Sequence, residues 1–162
     1  MLNIVKTMEQ TLVIFKPSAI QRSLVGEVLS RFERKGLMIA GMKMMTLSPE
    51  ILREHYAHLV NLPFFPNVEA SMTATPVIVM CLRGVEAISV VRAMTGATNG
   101  RQAAPGTIRG DFSMSNQENI IHASASPEDA AAELKRFFAP GEIFDYTPAA
   151  LSFTYDTSKL NS

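Results

Sequence analysis

Four β-prone apolar runs alternate with helical stretches along 162 residues, and that order predicts an α+β fold. The arrangement expected is a ferredoxin-like split βαβ sandwich, in which a four-stranded antiparallel sheet carries helices on one face. Two further observations support a single domain. The composition is 47% hydrophobic, enough to bury one core, and no internal repeat divides the chain. A doubly wound parallel sheet is the competing arrangement of the same elements.

Taken in order, residues 1 to 8 show no clear period and are expected to form a loose N-terminal extension. Thr11 to Lys16 is an apolar, β-branched run that Pro17 closes, since proline cannot donate to a ladder. Leu24, Val25, Val28, Leu29 and Phe32 recur at helical spacing, and Gly36 follows a basic last turn of Arg34 and Lys35 as a stop. Leu37 to Leu47 has no helical stripe and predicts a long strand weakened at Gly41. Ser48-Pro49-Glu50 is a helix start, with a capping hydroxyl, a proline where no amide donor is needed and an acid near the positive end. That helix is expected to run to about Leu59.

The prolines of Pro63-Phe64-Phe65-Pro66 break the pattern and leave one aromatic free to face a ligand. A short helical piece over 67 to 73 and a strand from Thr75 to Leu82 follow. From Gly84 a helix presents Ile88, Val91 and Met94 on one face and ends near Gly96. Residues 96 to 111 carry turn residues throughout and no period, and a structureless stretch of that length in so small a domain is more often functional than accidental. A short strand at Ile120-Ile121 then leads into His122. A second capped start, Ser126-Pro127-Glu128, opens a helix from Asp129 to Phe138. The remainder reads as turns with one strand-like piece from Leu151 to Tyr155.

Fifteen basic and fifteen acidic side chains cancel. A neutral chain lacks the footprint of a specific nucleic-acid binder or an anionic-membrane binder. No apolar run approaches the ~18 residues that span a bilayer, and the lone Cys81 lies in an apolar run as a core thiol. A reducing, cytoplasmic compartment is the expected location.

Familiar phosphate devices are absent from the sequence: no P-loop, no Gly-x-Gly-x-x-Gly and no protein-kinase Asp-Phe-Gly set. Three histidines and one cysteine show no zinc-finger spacing, and His55 with His58 reads as the polar face of a helix. What remains is a set of cationic and polar groups at element ends: Lys16, Arg92, Thr98, Arg109 and His122. Arg109 lies among glycines that let backbone and side chain approach a ligand closely, and guanidinium groups clamp phosphoryl oxygens bidentately. Taken singly, each cation is more often a solvated surface charge, and a lone His beside an apolar run is more often a hydrogen-bonded core residue. The joint pattern carries the reading.

Several segments resemble one family: Lys16-Pro17 with Gln21-Arg22, His55-Tyr56, Pro63-Phe64-Phe65, Pro105 to Phe112, and Asn119-Ile120-Ile121-His122. In order and spacing they are similar to nucleoside diphosphate kinases, over residues 9 to 156, with 157 to 162 as a tail. The resemblance implies that His122 carries a γ-phosphoryl group from a nucleoside triphosphate to a diphosphate in a ping-pong cycle. A neutral imidazole is nucleophilic without a separate base. By the same resemblance Glu133 orients the imidazole with Ser124 nearby, and Tyr56, Arg92, Thr98 and Arg109 hold phosphates. Lys16 and Asn119 contact the ribose 3′-hydroxyl, and Phe64 stacks on the base. Mg2+ is expected to arrive on the phosphates of ATP or another nucleotide, with no metal site in the protein itself. A homo-oligomer, tetramer or hexamer, is expected too.

The chain departs from the family pattern at four places. Ser18-Ala19 stands where Asp-Gly is usual, Gly100 where proline is usual, and Ala123 and Ala125 flank Ser124 where glycine and aspartate are usual; Asn116 replaces a commonly apolar wall of the base slot. Glycine for proline is expected to loosen the loop through unfolded-state entropy. The substitutions at Gly100, Ala123 and Ala125 motivate an alternative, a nucleotide-binding or scaffolding module of the same fold with little turnover.

Overall fold

The computed structural model describes residues 2 to 160. In chain order the elements are α1 (Leu2–Thr7), β1 (Glu9–Phe15), α2 (Pro17–Gln21), α3 (Val25–Lys35), β2 (Met38–Met45), α4 (Pro49–His55), α5 (Phe65–Met72), β3 (Val77–Gly84), α6 (Ala87–Thr95), α7 (Ile108–Phe112), β4 (Ile121–Ala123), α8 (Pro127–Phe137) and α9 (Leu151–Thr154), followed by a 3-10 turn over Thr157–Lys159. The strands form one sheet in the order β2-β3-β1-β4, and every neighbouring pair is antiparallel. This is the split βαβ arrangement, and the parallel alternative is excluded.

The two crossover helices α3 and α6 lie on one face, packing Val28, Phe32, Ala87 and Val91 on Val13, Phe15, Met80 and Leu82. The expectation of helices on one face needs a correction, however. Helices α4, α5 and α8 cover the opposite face, where Leu52, Phe65, Met72, Leu134 and Phe137 meet Leu12, Ile14, Val77, Val79 and Cys81. Leu12 to Phe15 and Val77 to Leu82 are apolar without alternation, the mark of strands buried on both faces.

Local chemistry explains most boundaries. Gly36 ends α3 at φ 102°, a left-handed conformation that glycine adopts without strain. Ser48 caps α4 by accepting from the Ile51 amide, and Ser126 caps α8 by accepting from Asp129. Strand β2 is irregular between Ile39 and Gly41, where a weakness was expected. Several elements differ from expectation, and helix α7 (Ile108–Phe112) begins within the stretch expected to be structureless. Helix α4 stops at His55, ahead of Leu59. The N-terminal segment is helical, and its Ile4, Val5 and Met8 are buried with Met38 and Leu151. The strand-like piece at Leu151 forms α9, whose Leu151 enters the same cluster. Both helices are too short to show a period, and docking decides their conformation.

The register of β4 on β1 pairs Ile14 with His122 and Val13 with Ala123. Cross-strand partners share a face, so His122 projects to the side of Ile14, under α4 and α8, while Ala123 joins the other core.

Candidate functional site

On the His122 side lies a cavity of about 690 Å³ walled by Lys16, Tyr56, Phe64, Arg92, Thr98, Arg109, Asn119, His122 and Glu133. Nine of the ten residues expected at a site therefore face one space. The tenth, Ser124, is fully buried behind Glu133.

His122 and Glu133 meet through Nε2 and Oε1 at 3.0 Å, across the junction of β4 and α8. Ser124 donates from Oγ to the second carboxylate oxygen at 2.7 Å and accepts the Leu12 amide at 3.1 Å. Burial pushes the Glu133 carboxyl upward, but the hydrogen bond and charge of His122, with the Ser124 hydroxyl, outweigh it and hold the group below its ordinary value. An ionised Glu133 accepts only, so Nε2 bears the proton and Nδ1 carries the lone pair.

The approach to β4 is strained. Ile120 has φ 74°, a conformation a β-branched residue rarely adopts. Its carbonyl accepts the Lys16 amide at 2.9 Å and its amide donates to Ser18 Oγ at 3.3 Å. Ser18, standing where the resemblance leads one to expect aspartate, thus holds the segment that delivers His122. Ala123 has no positive φ, so its side chain is accommodated without strain.

Lys16 Nζ donates to Asn119 Oδ1 at 2.6 Å, and Asn119 Nδ2 donates to the carbonyls of Thr98 and Asn116, both at 2.9 Å. Burial and the nearby Arg109 charge lower the Lys16 ammonium to about 8, with Glu118 opposing. Arg109 is 7% exposed and donates to the carbonyls of Asn119, Gly96 and Ile121 at 3.1, 3.3 and 2.7 Å. Burial first, and Arg92 second, bring it down to about 10. Arg92, on α6, is exposed. Burial likewise raises Tyr56 well above the ordinary phenol range, so its hydroxyl keeps its proton.

Two wall residues escaped the sequence reading. His55 is not on a polar helix face: it is 8% exposed, with its ring 4.5 Å from that of His122 and nearly perpendicular to it. Burial, then the charges of His122 and Arg136, depress it to about 2, so it is neutral at any working pH. Arg136 donates to Glu54 at 2.8 Å and to His55 Nδ1 at 3.3 Å. Its i, i+3 spacing from Glu133 on a helix was a usable signal, whereas His55 offered none beyond its neighbour Tyr56.

No helix of the described residues is long and apolar enough to cross a membrane. The family model for nucleoside diphosphate kinase matches residues 9–143. A nucleoside diphosphate kinase from Parabacteroides distasonis is 64% identical over 139 residues, covering 86% of this chain and 91% of that protein. One from Pyrococcus horikoshii is 50% identical over 145 residues, covering 88% and 92%. Among solved structures, a halophilic nucleoside diphosphate kinase from Halobacterium salinarum in complex with CDP aligns with a TM-score of 0.88 at 38% identity, over 91% of this chain and 99% of that one. With the family matched over most of its length, on a fold and a cavity of the kind just described, this chain belongs to the nucleoside diphosphate kinase family.

Proposed function

We propose that this protein transfers the γ-phosphoryl group of a nucleoside triphosphate to a nucleoside diphosphate, through a phosphohistidine at His122. The observation that carries the reading is the Nε2 contact with Glu133, which leaves Nδ1 as the nucleophilic nitrogen in a cavity lined by three arginines and a lysine. The Nδ1 lone pair forms a bond to the γ-phosphorus as the bond from that phosphorus to the β-bridging oxygen breaks, and the electron pair leaves on the nucleoside diphosphate. A terminal oxygen of a second diphosphate then attacks the same phosphorus, and the N–P pair returns to Nδ1. Glu133 offsets the positive charge that the ring develops, and the Nε2 proton stays in place throughout.

Arg92, Arg109, Thr98 and Tyr56 serve the phosphates in this reading. The Lys16–Asn119 pair receives the ribose 3′-hydroxyl. Phe64, 47% exposed at the cavity mouth, supplies a face on which any base stacks. In this reading Mg2+ arrives on the nucleotide phosphates, since it binds through phosphate oxygens and retained waters. That ion neutralises phosphate charge when bound. Exposed Phe153, Met114, Phe144 and Met44 support a homo-oligomer, tetramer or hexamer, and the lone buried thiol Cys81 fits a reducing, cytoplasmic setting.

Incubation with γ-labelled ATP and Mg2+ is expected to leave an acid-labile, alkali-stable label that a nucleoside diphosphate removes, and His122→Ala takes none. A native protein that binds nucleotide without taking label would overturn the reading in favour of a scaffold.

A further inference from the structure

We infer that His55, His122 and Glu133 form a site for a divalent transition-metal ion of the zinc class, whose occupancy blocks the phosphoryl carrier. One ligand atom from each lies within 4.8 Å of the other two. Tetrahedral zinc, at ~2.0–2.1 Å from its ligands, sets neighbouring ligand atoms roughly 3.3 Å apart. The side chains close that gap by small torsional changes. Two imidazoles and one carboxylate with a fourth position open suit zinc and its neighbours, while magnesium prefers a shell of oxygens and does not compete for them. The three ligands come from α4, β4 and α8, so no linear sequence motif announces the site.

His55 supplies the independent observation. More than nine-tenths buried, it has an Nε2 with no hydrogen-bond partner among the described residues. A buried polar atom without a partner calls for an explanation, and the family's phosphoryl chemistry as derived above gives this one no task. Its Nδ1 accepts from Arg136, so the neutral ring keeps its proton on Nε2. Coordination through Nε2 moves that proton to Nδ1, facing Arg136, and Arg136 gives way while holding Glu54 at 2.8 Å. At His122 coordination through Nε2 likewise moves the ring proton to Nδ1, which then has no lone pair to offer the γ-phosphorus. Metal binding does not depend on the phosphoryl-carrier reading; the blocking of label does.

The full chain, free of nucleotide, is titrated with Co2+. One ion per chain with the intense visible absorption of a tetrahedral site is expected, and Zn2+ displaces it. His55→Phe and Glu133→Gln each weaken binding at least about tenfold, a change typical of lost ligands. Arg136→Gln tightens it, because an amide oxygen accepts from the Nδ1–H that coordination creates. Zinc-loaded protein resists labelling by ATP, and chelation followed by magnesium restores it. An octahedral spectrum, or equal affinity in folded His55→Phe protein, overturns the site. Undiminished labelling of zinc-loaded protein overturns the blocking. Metal-free native protein that takes no label defeats the phosphoryl-carrier reading and leaves the site standing.

Discussion

Lys16 is a cation that the protein makes easy to neutralise. Because its folded value lies near 8, below the ordinary 10.5, the ammonium is intact at lower pH and is lost as pH rises through about 8. In the free enzyme kcat/KM is therefore expected to fall along an alkaline limb centred near 8. Lys16→Met should give a lower profile lacking that limb, measured as kcat/KM against pH for one nucleotide. Arg92 and Arg109 separate a second pair of roles. Arg92 is exposed, so Arg92→Ala should change stability by no more than about 0.5 kcal/mol while lowering kcat/KM. Buried Arg109 holds three carbonyls, and Arg109→Ala should cost roughly 2–4 kcal/mol of stability besides activity. Urea denaturation of the two variants beside their kinetics checks the split; equal stability losses would contradict it.

Among the connecting elements, the loop at Gly100 reverses an expectation. It is not loosened by its glycine: Gly100 is buried, its amide donates to Ser115 at 3.1 Å, and a Cβ there would overlap the Ser113 backbone. Gly100→Pro removes that donor and adds the overlap, so it should destabilise by at least about 1–3 kcal/mol, read as a lower urea midpoint. A gain in stability would restore the entropic view. This loop also marks where sequence reading succeeds. Caps at Ser48 and Ser126 and the stop at Gly36 act through neighbours in the chain, so their residue types suffice to place helix ends. The partners of Gly100, the second helical layer and the short helices α1 and α9 depend on contacts distant in sequence, which no local pattern encodes. The site divides the same way. The resemblance named His122 and Glu133 together, but the bond between them and the burial of His55 needed the sheet register and the seating of α8.

For the whole molecule, helices α1 and α9 contribute to the core. Residues 1 to 8 bring Val5, fully buried, and Met8 onto Met38 and Leu151. Deleting them uncovers that cluster, and a loss of about 1.5–3 kcal/mol for one large apolar side chain should lower Tm by several degrees in differential scanning calorimetry. An unchanged Tm would show that the segment is dispensable. The mass in solution is expected at four or six times the 17.7 kDa chain.

The path from the Leu12 amide through Ser124 and Glu133 to His122 ties the nucleophile to β1, which has a strand on either side. An interior strand opens to solvent only when the whole domain does. The aim of the imidazole thus has no private melting step. In denaturant, catalytic competence should persist undiminished until the domain unravels and then vanish with it, so that activity and backbone structure trace one curve.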